Sequence, residues 1–158
     1  MIRAARAGDA ETVAALINAI NELGPGAPVR MTAAIVRRDL VCAQPKALLR
    51  VAERDGAVVG FATAGLVYDA ERCAWAMMLL DLYVAPEHRR RGLARGLMAA
   101  LADEALRAGA RCLWWGVDAG DDEATLFYRS IGASSEGMFS GELIVGDALA
   151  RLATEASR

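Results

Sequence analysis

The sequence predicts a mixed α/β layer, a mostly antiparallel sheet with helices packed on it. Three observations predict it. Segments of helical spacing are interleaved with strand-like apolar runs, such as Ala74 to Val84. An Asp55-Gly56 turn joins two of those runs as a hairpin. An amphipathic helix separates two further runs, the pattern of one right-handed strand–helix–strand crossover.

The elements follow in order. Ile2 to Ala5 is a short strand ended by Ala7-Gly8-Asp9. Asp9 is the expected N-cap of a first helix, in which Val13, Leu16, Ile17 and Ile20 share one face. Gly24-Pro25-Gly26-Ala27-Pro28 breaks it. Thr32 to Val41 forms a second helix with Ile35, Val36 and Leu40 inward, and Pro45 closes it. Leu49 to Arg54 and Val58 to Val67 are the hairpin strands, and Tyr68 to Arg72 turns the chain again. Ala74 to Val84 is the most apolar strand, expected at the sheet centre and covered on both faces. After Pro86 a helix runs from about Gly92 to Ala108, with Leu93, Leu97, Met98, Leu101, Ala105 and Leu106 on one face and Gly109 at its C-cap. Arg111 to Val117 is a further strand, and Gly120 to Ser130 opens and forms a short helix. A last strand near Gly141 to Val145 and a helix from Asp147 to Thr154 finish the chain. With 158 residues and neither repeat nor long linker, one domain over residues 1–158 is expected.

Composition excludes several classes. Apolar residues make up 55% and charged residues 24%, which is not the composition of a disordered chain. Lys plus Arg is 18 against 20 for Asp plus Glu, so a surface devoted to nucleic acid is not expected. Cys73 to Leu80, the longest unbroken apolar stretch, falls far short of the roughly 20 residues of a membrane helix. Three widely spaced cysteines, Cys42, Cys73 and Cys112, form neither a disulfide framework nor a zinc motif, and a reduced cytoplasmic compartment is the expected default. A single histidine, His88, leaves no histidine metal cluster, and no metal is expected. His88 itself sits in a basic loop and is expected to face solvent. Trp75, Trp114 and Trp115 are expected to pack in the sheet, with Cys73, Cys112, Met77, Met78 and Met98 in the core.

The chemistry concentrates in Asp81-Leu82-Tyr83-Val84-Ala85-Pro86-Glu87-His88-Arg89-Arg90-Arg91-Gly92-Leu93-Ala94. A buried strand ends, and a basic loop feeds directly into a long helix. The first turn of a helix leaves backbone N–H groups unpaired, and its macrodipole adds about half a positive charge there. Three arginines strengthen that field. The product is an anion site suited to phosphate or pyrophosphate. A solvated arginine run is the plainer reading of the triplet, but open α/β sheets place ligands at this end of a strand. Neither GxGxxG nor GxxxxGK[ST] occurs, so dinucleotide and P-loop folds are not supported.

Arg89-Arg90-Arg91-Gly92-Leu93-Ala94 resembles the [RQ]-x-x-G-x-[GA] acyl-CoA motif of the GNAT N-acetyltransferase superfamily. A second stretch, Asp121-Asp122-Glu123-Ala124-Thr125-Leu126-Phe127-Tyr128-Arg129-Ser130-Ile131-Gly132-Ala133, is similar to that superfamily's N-x-x-A-x-x-[LF]-Y-x-x-x-G-[FA] motif, with Asp121 where Asn is usual. The likeness extends over nearly the whole chain. It implies the single-domain GNAT fold and acetyl-CoA as co-substrate. Arg89, Arg90, Arg91, Gly92, Leu93 and Ala94 would hold the pyrophosphate, Leu82, Tyr83 and Val84 would pair with the pantetheine arm, and Asp121 would contact the cofactor. Asp81 to Glu87, Phe127 to Ala133 and Gly146-Asp147-Ala148-Leu149 look most like the diamine (spermidine/spermine-type) branch. A homodimer exchanging C-terminal contacts is implied as well.

Two catalytic residues follow from the resemblance. Tyr128 would be general acid to the departing CoA thiolate; a tyrosine merely packed at a helix–sheet boundary is the alternative. With a cysteine thiol as stand-in, full proton transfer from phenol is uphill by about 2 kcal/mol, so a hydrogen bond to the developing thiolate is the useful part. The acceptor amine, with a lysine-like pKa near 10.4, costs roughly 4.6 kcal/mol to deprotonate at pH 7. The related branch carries Glu-Asp where this chain has Leu80-Asp81. Asp81 is therefore the nearest candidate base, with a water relay as the alternative.

The expected activity is direct acetyl transfer to a primary amine of a small molecule, such as a polyamine or amino acid, in a ternary complex. The amide of Leu82 or its neighbour would polarise the thioester oxygen. Gly24 to Met31 and Tyr68 to Ala74 would border the acceptor pocket. A non-catalytic acyl-CoA sensor and an enzyme acting on protein N-termini or lysines are the alternatives.

Overall fold

The computed structural model describes residues 1–21 and 30–157, so the Gly24–Pro28 break lies outside the described residues. The chain forms two compact units, Met1–Ala119 and Gly120–Arg158.

The first unit is built on a five-stranded sheet. Its strands are β1 (Ile2–Ala4), β2 (Leu48–Arg54), β3 (Ala57–Asp69), β4 (Ala74–Val84) and β5 (Cys112–Trp114), ordered β1-β2-β3-β4-β5. The first three pairings are antiparallel and β4–β5 is parallel. Asp55 and Gly56 both take positive φ, 51° and 79°, which is the mirror-image turn that matches strand twist between β2 and β3. Three helices flank the sheet: α1 (Ala10–Ile20), α2 (Ala33–Asp39) and α3 (Leu93–Arg107).

The period-2 alternation of the strands sorts their side chains between two helical layers. Leu49, Val51 and Phe61 join Ala10, Val13, Ala14, Ile17 and Val36 in one core, with α1 and α2 above that face. Asn18 ties the layer to the second helix, exchanging two hydrogen bonds of 2.9 Å with the backbone of Met31. Thr32 caps α2 by accepting from the Ile35 N–H. The opposite face carries α3, whose Leu97, Met98, Leu101 and Ala105 are buried. A Cβ on Gly96 would lie 3.0 Å from Ile2, so this helix approaches β1 closely. Phe61, Leu97 and Leu101 are completely buried, each worth roughly 1.5–3 kcal/mol of apolar transfer.

Several expectations are corrected. The middle strand is β3, and β4 is second from the edge. Trp75 and Leu80 on β4 are exposed, so that strand is not covered on both faces. Trp75 packs edge-on against Tyr68 across the β3–β4 hairpin, their centroids 5.5 Å apart, instead of entering the core. Cys73 is exposed with φ 49° in the connecting turn, and Leu106 faces solvent in the last turn of α3. The strand expected over 111–117 is reduced to Cys112–Trp114, and Gly116 disfavours its continuation.

Asp9 precedes α1 but does not cap it with its side chain. Its carboxylate accepts from the Arg6 N–H at 2.6 Å and forms a two-pronged ion pair with Arg3, which also bonds Glu53. The Arg3 guanidinium, by hydrogen bonding, holds the Asp9 carboxyl below its ordinary range against the opposing effect of burial. A depressed carboxylate stabilises the fold above its unfolded pKa near 4 and loses that contribution as pH falls through the lower folded value. Asp9→Asn is therefore expected to cost about 1–3 kcal/mol at pH 7 and to flatten the loss of thermal stability below pH 4, measured by calorimetry.

The second unit holds α4 (Asp122–Ser130) and α5 (Gly146–Ala153), followed by a 3₁₀ turn over Thr154–Ser157. The strand expected near Gly141 to Val145 does not form. Its apolar run is three residues long, and no ladder partner pairs with it among the described residues. Leu143, Ile144, Val145, Leu149 and Leu152 are all exposed.

Candidate active site

The bulk of the candidate residues lie where β4 runs into α3. The β3–β4 ladder pairs Thr63 with Asp81 and Ala64 with Leu79, so Leu80 is an extra, bulged residue. The bulge re-aims everything that follows it. Ala85 N–H donates to Val59 O at 2.9 Å, which by antiparallel alternation makes Tyr83 and Asp81 the residues bonded to β3. Leu82 and Val84 consequently turn their backbone groups to the other edge. β5 covers that edge only from Ala76 to Met78. Among the described residues no strand pairs with β4 beyond that point. Leu82, and Val84 through its N–H, thus present peptide groups to a gap in the sheet, which is what an extended polar chain needs to add itself as a strand, while the Val84 carbonyl accepts from Arg89.

The loop after β4 is shaped by its backbone. A short 3₁₀ turn over Pro86–His88 ends the strand. Arg90 takes φ 60°, a conformation costing a non-glycine residue about 1–2 kcal/mol. Gly92 follows at φ 77° as the N-cap of α3, with no side chain capping the helix. The amides of Leu93, Ala94 and Arg95 have no intrahelical acceptor; the first helical bond runs from Gly96 N–H to Gly92 O at 2.9 Å. A Cβ on Gly92 would meet nothing within 4 Å, so only the φ angle calls for glycine in the protein alone. Arg89 bends back, its Nε donating to Val84 O at 3.0 Å and its guanidinium lying 5.8 Å from the Tyr83 ring centroid. Arg89, Arg90, Arg91 and Arg95 are exposed, giving the loop a concentrated positive field. His88 does not simply face solvent: it is half-buried, and its Nδ1 is buried without a hydrogen-bond partner among the described residues.

Asp81 is half-buried and accepts a short hydrogen bond from the hydroxyl of Thr63, its register partner on β3. Thr63 was not singled out in the sequence, although a hydroxyl within Val59-Gly60-Phe61-Ala62-Thr63-Ala64 is the available signal. The bulge at Leu80, which sets the face Asp81 occupies, has no sequence signal of its own.

In the second unit, Asp121 caps α4, its Oδ1 accepting from the Ala124 N–H at 2.9 Å. Tyr128 lies on α4, half-buried, with its ring 5.1 Å from that of Phe127. Burial, and secondarily the negative charge of Asp121, raises the Tyr128 phenol above its ordinary pKa. Tyr128 therefore stays protonated across the neutral range, as a hydrogen-bond donor must.

A mixed sheet with a gap beside its fourth strand, leading to unpaired amides at a helix N-terminus, suits a long ligand with an extended polar arm and an anionic group. The chain belongs to the acetyltransferase (GNAT) family, whose model matches residues 16–133. It is an N-acetyltransferase that uses acetyl-CoA, with the α/β fold of that family. No curated protein sequence matches the chain. Among solved structures, an integron cassette protein from V. cholerae is similar with a TM-score of 0.77 and 24% identity, covering 97% of this chain and 96% of that one. The ribosomal-protein-alanine N-acetyltransferase of Brucella melitensis biovar Abortus matches with a TM-score of 0.70 and 21% identity, over 92% of this chain and 99% of its own. AAC(6′)-Iy, in complex with the bisubstrate analogue CoA-S-monomethyl-acetylneamine, matches with a TM-score of 0.76 and 21% identity, over 92% and 98%. At these identities the structures share a fold with this chain.

Proposed function

We propose that the enzyme acetylates the primary amine of a small molecule by direct transfer within a ternary complex. The observation that carries this reading is the gap beside Leu82 and Val84, contiguous with the bare amides at the start of α3. Leu82 and Val84 pair with the pantetheine arm, Tyr83 backs the strand, and Arg89, Arg90, Arg91, Gly92, Leu93 and Ala94 hold the pyrophosphate. Arg89 also steadies the strand end through Val84. An outward amide at Leu82 polarises the thioester oxygen. Asp81 accepts the proton of the incoming ammonium, directly or through water, and Tyr128 donates to the departing thiolate. No metal is invoked. Asp121, at the α4 cap, contacts the cofactor in this reading.

The acceptor in this reading is a small amine; whether it is a polyamine of the diamine branch turns on free carboxylates. Asp69, within the expected pocket border, is already engaged by the backbone N–H and guanidinium of Arg72, which lower its pKa in that order. Glu71 is the other carboxylate along that border, and a polycation would want several, so a monoamine or amino acid fits better. The family match crosses from the first unit into the second, which supports a single acetyltransferase domain over residues 1–158. The exposed apolar residues from Leu143 to Leu152 support a homodimer. Three unpaired cysteines support a reduced, cytoplasmic setting. Among the described residues no helix is long and apolar enough to cross a membrane.

A thiol-release assay with acetyl-CoA tests the reading across diamines, amino acids, aminoglycosides and peptides with free N-termini. Saturable CoA release with small primary amines is the expected result. Turnover confined to peptides would contradict it.

A further inference from the structure

We infer that Thr63 is the positioning residue for Asp81, holding its carboxylate at the β4 bulge in the orientation that receives the substrate proton. The inference rests on the proposed role of Asp81 as base. Three observations carry it. Thr63 is the only buried polar residue among the described residues, 4% exposed within an otherwise apolar core. A buried hydroxyl costs stability unless it is hydrogen-bonded, and here it donates to Asp81 Oδ2. The pair also sits at the last regular register position before the ladder slips at Leu80.

That position matters chemically. A bulge frees one strand locally from the ladder, so the side chain beside it gains freedom that a regular pair denies. A carboxylate beside the bulge, with no bond of its own, has several rotamers open to it. One hydroxyl bond from a rigid central strand removes that freedom and leaves the second oxygen of Asp81 to face the amine. β3 is suited to the task, since Phe61 and Ala62 beside Thr63 are completely buried. Thr63 touches no reacting atom in this scheme. Its β-branched side chain has few rotamers, which makes it a stiffer donor than serine.

The test is a double-mutant cycle on the purified enzyme with acetyl-CoA and its best amine. Thr63→Val, nearly the same shape without the donor, is expected to lower kcat about 10-fold while leaving the KM for acetyl-CoA within twofold. Thr63→Ser should recover kcat to within about threefold, because the hydroxyl returns. In an Asp81→Asn background, Thr63→Val should have no further effect on kcat, since the group it positions is gone. Should Thr63→Val not fold, Thr63→Ser against Thr63→Ala supplies the same comparison. Equal kcat for Thr63→Val and wild type, in an enzyme that Asp81→Asn inactivates, overturns the inference alone. So does a loss on Thr63→Val that persists undiminished over Asp81→Asn. Full activity of Asp81→Asn would instead overturn the reading of Asp81 as base.

Discussion

Gly92→Glu is expected to raise the KM for acetyl-CoA by at least about 100-fold while the protein still folds. The fold tolerates the side chain, because a Cβ at this position meets no atom within 4 Å. What the fold pays is the left-handed φ of 77°, about 1–2 kcal/mol for a non-glycine residue. Cofactor binding suffers far more. The new carboxylate stands beside the amides of Leu93 and Ala94, at the place where the pyrophosphate is proposed to lie. Like charges brought together there cost several kcal/mol, and each 1.4 kcal/mol is tenfold in affinity. Gly92→Ala separates the two effects: it carries the strain without the charge, so it should lower the melting temperature while raising KM far less than Gly92→Glu. Steady-state kinetics at varied acetyl-CoA, with thermal melts of both variants, check this.

Tyr128→Phe is expected to lower kcat about 100-fold with little change in either KM. A positioned proton donor contributes roughly 10²–10⁴ in rate, and the lower end applies here. The phenol is raised by burial and by Asp121, so full proton transfer to a thiolate is more uphill than for an ordinary tyrosine. The stabilisation is then a hydrogen bond that strengthens as the thiolate forms. Loss of one hydroxyl from a half-buried ring costs about 0.5–1.5 kcal/mol in stability, so the melting temperature should move by a few degrees at most. The sign of the pKa shift adds a second expectation. A raised phenol moves any alkaline fall in kcat due to Tyr128 to higher pH than for an ordinary tyrosine. A Tyr128→Phe enzyme with wild-type kcat would remove the residue from the chemistry.

Legibility in the sequence divided along physical lines. Local chemistry was plain: Asp55-Gly56 specifies its turn and Gly92 the entry to α3, because each acts on its own backbone. The acetyl-CoA motif was readable for the same reason, being one continuous loop. Long-range facts were not. An unbroken apolar run suggested a strand covered on both faces, yet whether Trp75 and Leu80 are covered depends on neighbours far along the chain. Asp9 carries the residue type of a helix cap, but Arg3 and the Arg6 amide offer its carboxylate stronger partners. Leu143-Ile144-Val145 has strand propensity, but no strand pairs with it among the described residues. The Leu80 bulge and the Thr63–Asp81 bond both arise from the register of two strands, which single-residue patterns do not encode.

A crystal structure of the enzyme with CoA bound is the most direct test of the central claim. It should place the pyrophosphate within hydrogen-bonding distance of the amides of Gly92, Leu93 and Ala94, with the pantetheine arm laid along Leu82 to Val84. A pyrophosphate bound away from the start of α3, with the edge of β4 left bare, would contradict it.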